Sequence, residues 1–485
     1  MFEQTFKNID NAFREDDGCS TELDYAEQSS WILFLKWLDD FEKDKETKAK
    51  LENKQFKPTL KKEFQWSTWA VVKDKAGKVD FNKTLTGPDL KSFIDDKLFP
   101  YLKSFKNNSE DTNTLEYKIG EIFHEIKNKL SDGYSIREVV DAVDNLEFKS
   151  SEQKHELSAL YEEKIKNMGN SGRNGGEYYT PRALIKSIIQ IMNPKIGETI
   201  YDGAVGSAGF LIEAYEYMSK SKSLTTSELK TLQNKTFYGI EKISLAYVIG
   251  LMNMILHGIE SPNIIRKNTL EDNIQEIQNK DRVDVILANP PFGGKTEKKH
   301  IQENFPIRTS ETSYLFLQHF IKKLKVGGRA SIVIKNTFLS NTDNASIALR
   351  KQLINECNLF AVLDLPGGAF LGTGVKTVVL FFEKGKPTKK LWYYQLNVGR
   401  NIGKTTPLNE NDLQDFINLS KKQKISDNSW SIDFEKINKD TLDLSVKNPN
   451  TKELIDERTP EEIIYEIKKL EKESSDLLTK IEKIL

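Results

Sequence analysis

The chain has 485 residues, 38% of them apolar, with 71 Lys and Arg against 72 Asp and Glu. That length suits one sizeable α/β domain with smaller flanking domains better than a single core. The formal net charge of -1 lacks the basic surplus of a protein that grips a nucleic acid duplex alone, so either a positive face is local or a partner supplies the grip. No apolar run approaches the roughly 18 residues of a membrane span, and Met1-Phe2-Glu3-Gln4 opens on charge, so a cytoplasmic protein without membrane contact is expected. Cys19 and Cys357 can build neither a disulfide framework nor a metal-spaced cluster with the five histidines, and no metal is expected.

From Met1 to about Lys166 the pattern is helical. Trp31 to Leu38 is a dense apolar patch, and Glu116 to Leu130 carries Ile119, Ile122, Phe123, Ile126 and Leu130 at helical spacing, which predicts a helical N-terminal domain over 1–166. Between Pro58 and Asn82, Trp66, Trp69, Val71 and Val72 mix with Pro and Gly and suggest a short hairpin or loop. After an Asn/Gly-rich break from Asn167 to Gly176, apolar runs alternate with amphipathic stretches. Strands are predicted at Glu198 to Tyr201, Phe237 to Ile240, Asn263 to Arg266, Val283 to Ala288, Ala330 to Ile334, Phe360 to Leu365 and Thr377 to Phe382. Leu245 to His257 and Ser313 to Leu324 have helical length. Over 167–395 this alternation reads as a largely parallel sheet with helices on both faces. The chain turns polar beyond Lys384, giving an extension over 396–458, and 459–485 forms a terminal helix. There Ile463, Ile467, Leu470, Ser474, Leu477, Ile481 and Ile484 make one seam, which either packs on its own domain or docks on a partner's helices.

Chemistry concentrates in the middle third. Asp202-Gly203-Ala204-Val205-Gly206-Ser207-Ala208-Gly209 follows the first strand and opens a helix, so its glycines let backbone pass close to a ligand that the helix N-terminus can meet with free N–H groups. A structural turn would look the same, and the motif gains weight from Glu241 at the end of the second strand, where a carboxylate can accept from ribose hydroxyls. The near-continuous apolar run Val283 to Ala288 places Asn289 at the carboxyl edge of a central strand, where ligands of open α/β sheets bind. An amide held beside two prolines is costly as mere structure, so Asn289-Pro290-Pro291-Phe292 reads as a site. Gly294-Lys295-Thr296 and Gly403-Lys404-Thr405 are not P-loops, because Asn289 and Val398 stand where the leading glycine belongs.

These residues resemble the amino-methylating class of S-adenosylmethionine-dependent methyltransferases, and more narrowly the modification subunit of type I restriction-modification systems, an N6-adenine DNA methyltransferase family. The order of Gly176-Glu177-Tyr178-Tyr179-Thr180-Pro181-Arg182, the glycine turn and Asn289 to Phe292 carries the likeness. Leu33 to Lys36, Gly327 to Ala330 and Gly374 to Thr377 extend it over most of the chain. The resemblance implies a Rossmann-like domain with a helical N-terminal domain and a C-terminal helix. It implies S-adenosylmethionine as cofactor, with Tyr179, Thr180, Pro181 and the turn (Asp202, Gly203, Gly206, Ser207, Gly209) at its methionine end, Glu241 on the ribose and Asn268 near the adenine. Gly203 departs from the family's Pro and Ala208 from its Gly.

The implied reaction has the Asn289 oxygen and the Pro290 carbonyl accept hydrogen bonds from the adenine amino group, which frees its lone pair for the methyl group. The base must be flipped out of the duplex and would stack on Phe292, while Phe370 either covers its other face or packs in the core. Lys376, near a strand start, reads first as a solvated surface lysine, with a contact to the DNA backbone as the other reading. Neither cysteine follows a proline, so a cytosine-C5 mechanism does not fit. The implied partners are double-stranded DNA, a specificity subunit that chooses the target, a restriction (nuclease and translocase) subunit and a second copy of the chain. Two other readings are a protein-glutamine N5-methyltransferase and a catalytically silent scaffold that binds cofactor.

Overall fold

The computed structural model describes residues 2–482 apart from 109–110, 112–113, 147–160, 166–178, 221–223, 260–261, 293–298, 371–373, 404 and 451–458. The Asn/Gly-rich break from Asn167, Tyr178 and Gly294-Lys295-Thr296 therefore lie outside the described residues. Strands β1 (Ile200–Asp202), β2 (Phe237–Glu241), β3 (Asn263–Arg266), β4 (Val283–Ala288), β5 (Leu324–Lys335), β6 (Cys357–Asp364), β7 (Thr377–Lys384), β8 (Lys390–Gln395) and β9 (Ser429–Asp433) form one sheet. Their order is β3-β2-β1-β4-β5-β7-β6-β8-β9. Only β7 and β9, among the described strands, run against the rest.

The sheet is buried on both faces, and the sequence records it. In β4, Val285 and Leu287 enter one core while Ile286 and Ala288 enter the other, so no position of the strand is left for a fully exposed residue and the run is apolar throughout apart from Asp284. Helix Ser244–Leu256 is buried from Ala246 to Leu256 because it lies between the sheet and the N-terminal helices, and a helix with two covered faces loses its polar stripe.

The N-terminal region packs helices Phe2–Glu15, Glu22–Leu51, Leu115–Glu125 and Gly133–Asp144 around Trp31, Phe99 and Phe123, whose rings meet edge to face at centroid distances of 5.2 Å. The expected helix from Glu116 to Leu130 stops at Glu125. The following residues are held instead by the buried amide of Gln28, which donates to Lys127 O at 3.0 Å and accepts from Lys129 N at 3.1 Å, so a side chain pairs with extended backbone as a strand would. Between Pro58 and Asn82 the chain makes a helical turn at Trp66–Trp69 and one antiparallel bridge from Lys73 to Val79. Lys118 reaches from this region to the sheet edge, where its buried ammonium donates to Ile264 O of β3 at 3.1 Å and burial lowers its pKa.

β8 and β9, absent from the expected strands, lie in the polar stretch. Trp392 of β8 is fully buried, stacks on Phe416 with centroids 6.0 Å apart, and donates its indole N–H to Lys424 O at 3.0 Å. Helix Glu410–Ser420 thereby closes the sheet and packs on helix Arg182–Met192. Trp392→Ala is expected to lower stability by about 3–5 kcal/mol, read as a fall in the chemical-denaturation midpoint. No helix among the described residues is long and apolar enough to cross a membrane.

Candidate active site

The carboxyl ends of β1 and β4 are neighbours, and the chain leaves them in opposite directions, toward β2 and β3 on one side and β5 on the other. Such a switch point leaves a crevice between diverging connections. Thr180, Asp202, Gly206, Ser207, Gly209 and Asn289 line a cleft there, so three separate sequence motifs meet in one place.

Asn289 follows β4 directly. Its Nδ2 donates to Thr180 Oγ1 at 2.9 Å, and its Oδ1 is buried without a hydrogen-bond partner among the described residues. A buried amide oxygen left unpaired costs on the order of 1–3 kcal/mol, a debit expected where a ligand completes the bond. Pro290 is buried and Pro291 half-buried. Phe292 and Phe370 are both buried and meet edge to face, with centroids 5.1 Å apart and planes at 82°. Tyr179 is half-buried, with its hydroxyl pKa raised by burial, and Pro181 forms the N-cap of helix Arg182–Met192.

The turn from Asp202 to Gly209 is held by backbone and carboxylates. Asp202 accepts from Ala204 N at 2.9 Å, and Glu241 accepts from Gly206 N at 2.9 Å and from Ile243 N at 2.8 Å. Each Glu241 oxygen thus takes a backbone amide, one from the turn and one from the segment after β2. Thr269 Oγ1 donates to Gly203 O at 2.6 Å and ties Asn268 to the turn, while Asn268 Oδ1 itself caps Leu270 N at 3.2 Å. Gly203 lies behind the turn. A Cβ there would meet Phe320 Cε1 at 2.8 Å and Tyr201 Oη at 3.1 Å, and Tyr201 Oη in turn shares a hydrogen bond of 3.1 Å with His319 Nε2. Large side chains from β1 and helix Thr312–Lys323 thus fill the space a proline ring would need. Lys376 Nζ bonds Asp364 Oδ2 at 3.1 Å and is half-exposed.

Thr180 as the partner of Asn289, and Ile243 as a second donor to Glu241, were not singled out for those contacts in the sequence. The only signal for either was its place beside a motif.

The glycine turn after β1, the acidic residue closing β2 and the antiparallel β7 define a Rossmann-like methyltransferase domain, and Asn-Pro-Pro-Phe after β4 places it in the amino-methylating class. A family profile described as N-6 DNA Methylase matches residues 152–458. The chain is 33% identical to the EcoEI type I restriction enzyme methylase subunit of Escherichia coli, over 99% of this chain and 96% of that one. It is 34% identical to a modification subunit of a putative type I restriction enzyme from Vibrio vulnificus, with a TM-score of 0.81 over 93% of this chain and 96% of that one. A second solved structure, from work on assembly of a type I restriction-modification system, shares 32% identity and a TM-score of 0.79 over 100% of this chain and 98% of its own. The chain belongs to the N-6 DNA methylase family, among the modification subunits of type I restriction enzymes, and is an adenine-specific DNA methyltransferase.

Burial pushes the Asp202 carboxyl up to about 8, and the nearby Glu241 charge adds to this against the opposing Ala204 amide. A folded pKa above the unfolded one means that stability is intact below about pH 4 and is lost as pH rises through about 8. Asp202→Asn cannot ionise. It should gain stability relative to the parent across that interval, by roughly 1.4 kcal/mol for each tenfold difference in proton affinity. Parallel pH profiles in chemical denaturation would contradict the buried-carboxyl assignment.

Proposed function

We propose that the protein moves a methyl group from S-adenosylmethionine to N6 of adenine in double-stranded DNA, in the cytoplasm, as the methylating subunit of a type I restriction-modification complex. The observation that carries this reading is the unpaired Asn289 oxygen, fixed by Thr180 in the cleft that the glycine turn lines. The residues fit the cofactor. Backbone and small side chains of the turn line the cleft together with the Asp202 carboxyl, and Glu241 stands at the end of β2 anchored on Gly206 N. Tyr179, Thr180, Pro181 and the Asp202 to Gly209 turn would hold the methionine end, with Glu241 at the ribose and Asn268 toward the adenine. When bound, S-adenosylmethionine supplies an electrophilic methyl group.

The chain's own part is to make a poor nucleophile attack. The adenine amino lone pair is delocalised into the ring. Hydrogen bonds from its two N–H groups to Asn289 Oδ1 and the Pro290 carbonyl shift the nitrogen toward sp³ and localise the pair. Holding it against the cofactor supplies the remainder as positioning. The flipped base needs a flat slot, and the Phe292–Phe370 pair must part to provide one. Losing the edge-to-face contact costs about 0.5–1.5 kcal/mol, and base stacking of about 1–3 kcal/mol per base offsets it together with part of the cost of flipping the base.

Docking is read from helix Pro460–Glu482. Ile467, Leu470 and Leu477 of its seam are 51%, 58% and 59% exposed, although leaving such a seam in water forfeits its burial energy. A specificity subunit would cover it and choose the DNA target, with a second copy of the chain and a restriction subunit completing the complex.

Asn289→Ala should keep S-adenosylmethionine binding by calorimetry while methyl transfer to DNA in the complex falls at least about 100-fold; near-normal transfer would refute the mechanism. Removal of the chain from Thr459 onward should leave cofactor binding intact and abolish co-purification with the specificity subunit, and unchanged co-purification would exclude the docking role.

A further inference from the structure

Ala208 is buried with φ +65°, a left-handed conformation that glycine adopts freely and that strains an alanine through its Cβ. Such a residue persists where its surroundings over-determine it. The restraint comes from outside the turn. Asn253, in helix Ser244–Leu256, donates from Nδ2 to Ser207 O at 2.9 Å and to Glu162 Oε1 at 2.6 Å, while its Oδ1 has no partner among the described residues. Two acceptors on one nitrogen therefore fix the amide. Arg182 lies on the other side of Ala208, over Gly209, where a Cβ would sit 2.4 Å from Nη1. Its Nε donates to Glu162 Oε2 at 2.7 Å and its Nη2 pairs with the same carboxylate.

One carboxylate thus joins both clamps. The short segment that bears it is tied down in turn, because Tyr161 shares a hydrogen bond of 2.6 Å with Ser30 and Lys164 pairs with Asp10. We propose that Glu162 is a positioning residue for the cofactor site. Through Asn253 and Arg182 it clamps the turn on both sides of Ala208, holds the strained backbone in its binding form, and makes the fit of that turn depend on the seating of the N-terminal domain. The proposal rests on the reading of the turn as the S-adenosylmethionine site.

The test is a comparison of full-length chains with Ala or Gly at 208. Glu162→Gln removes the charge that gathers both clamps. It should weaken S-adenosylmethionine binding about tenfold by calorimetry, the scale of a hydrogen bond to a charged group, and speed hydrogen exchange at the amides of Gly206 to Gly209 in the free protein. The rate of methyl transfer at saturating cofactor should change far less than the KM for cofactor. In the Ala208→Gly background, where the backbone needs no restraint, the same substitution should lose less than about threefold. An equal loss in both backgrounds, or no loss in either, overturns the proposal. If the parent chain bound no S-adenosylmethionine, the cofactor reading would fall, and the exchange comparison would still decide whether Glu162 holds the turn. Should Glu162→Gln not fold, Asn253→Ala releases Ser207 while leaving the ion pair, and must show the same dependence on residue 208.

Discussion

The turn after β1 runs through a space that several other backbones also need. At Gly250, halfway along helix Ser244–Leu256, a Cβ would stand 2.7 Å from Gly206 O, so the helix approaches the turn as closely as backbone allows. This contact sets the height of the helix over the sheet, and the N-terminal helices pack on that helix. Gly206 N donates to Glu241, which joins the end of β2 and the middle of the turn through one carboxylate. The cleft at the turn, the layer above it and the seat of the N-terminal domain meet at a single close approach.

The two departures from the family pattern look different once the packing is known. Gly203 is matched by Tyr201 and Phe320, which occupy the volume of the missing ring, so the change is compensated locally. Ala208 is not matched in that way, and its strain is carried by contacts from two other elements. The reading as a catalytically silent scaffold drew on these two positions, and neither disturbs the cleft lined by Asn289 and the turn.

Seven of the nine described strands were legible, most clearly those that are apolar runs bounded by turn residues, as in β4 and β7. β8 and β9 were not. Leu391-Trp392-Tyr393-Tyr394 sits between lysines and a polar stretch, and Ser429-Trp430-Ser431-Ile432 is a four-residue alternation too short to stand out against its surroundings. The motifs named the candidate site residues, and the cleft gathers Thr180, Asp202, Gly206, Ser207, Gly209 and Asn289. What the sequence could not show is which atoms face one another. The bond from Asn289 to Thr180 spans 109 positions and that from Asn253 to Glu162 spans 91, and no local pattern encodes such a pairing. For the same reason Phe370 could not be assigned from sequence, and its edge-to-face contact with Phe292 exists only once the segment after β6 reaches past β5 and β7 to the end of β4.

Lys118 has a consequence beyond its one hydrogen bond. β3 is an edge strand, and edge strands offer unpaired carbonyl and amide groups to any other chain. A lysine from the N-terminal region occupies one of those carbonyls, and Arg266 of the same strand is paired with Glu125. The helical region therefore works as a guard on the sheet. A fragment that began near residue 152 would keep every residue of the candidate site and yet uncover both an edge strand and the apolar outer face of helix Ser244–Leu256. Such a fragment would be prone to self-association, which makes the N-terminal region a condition of solubility for the catalytic fold.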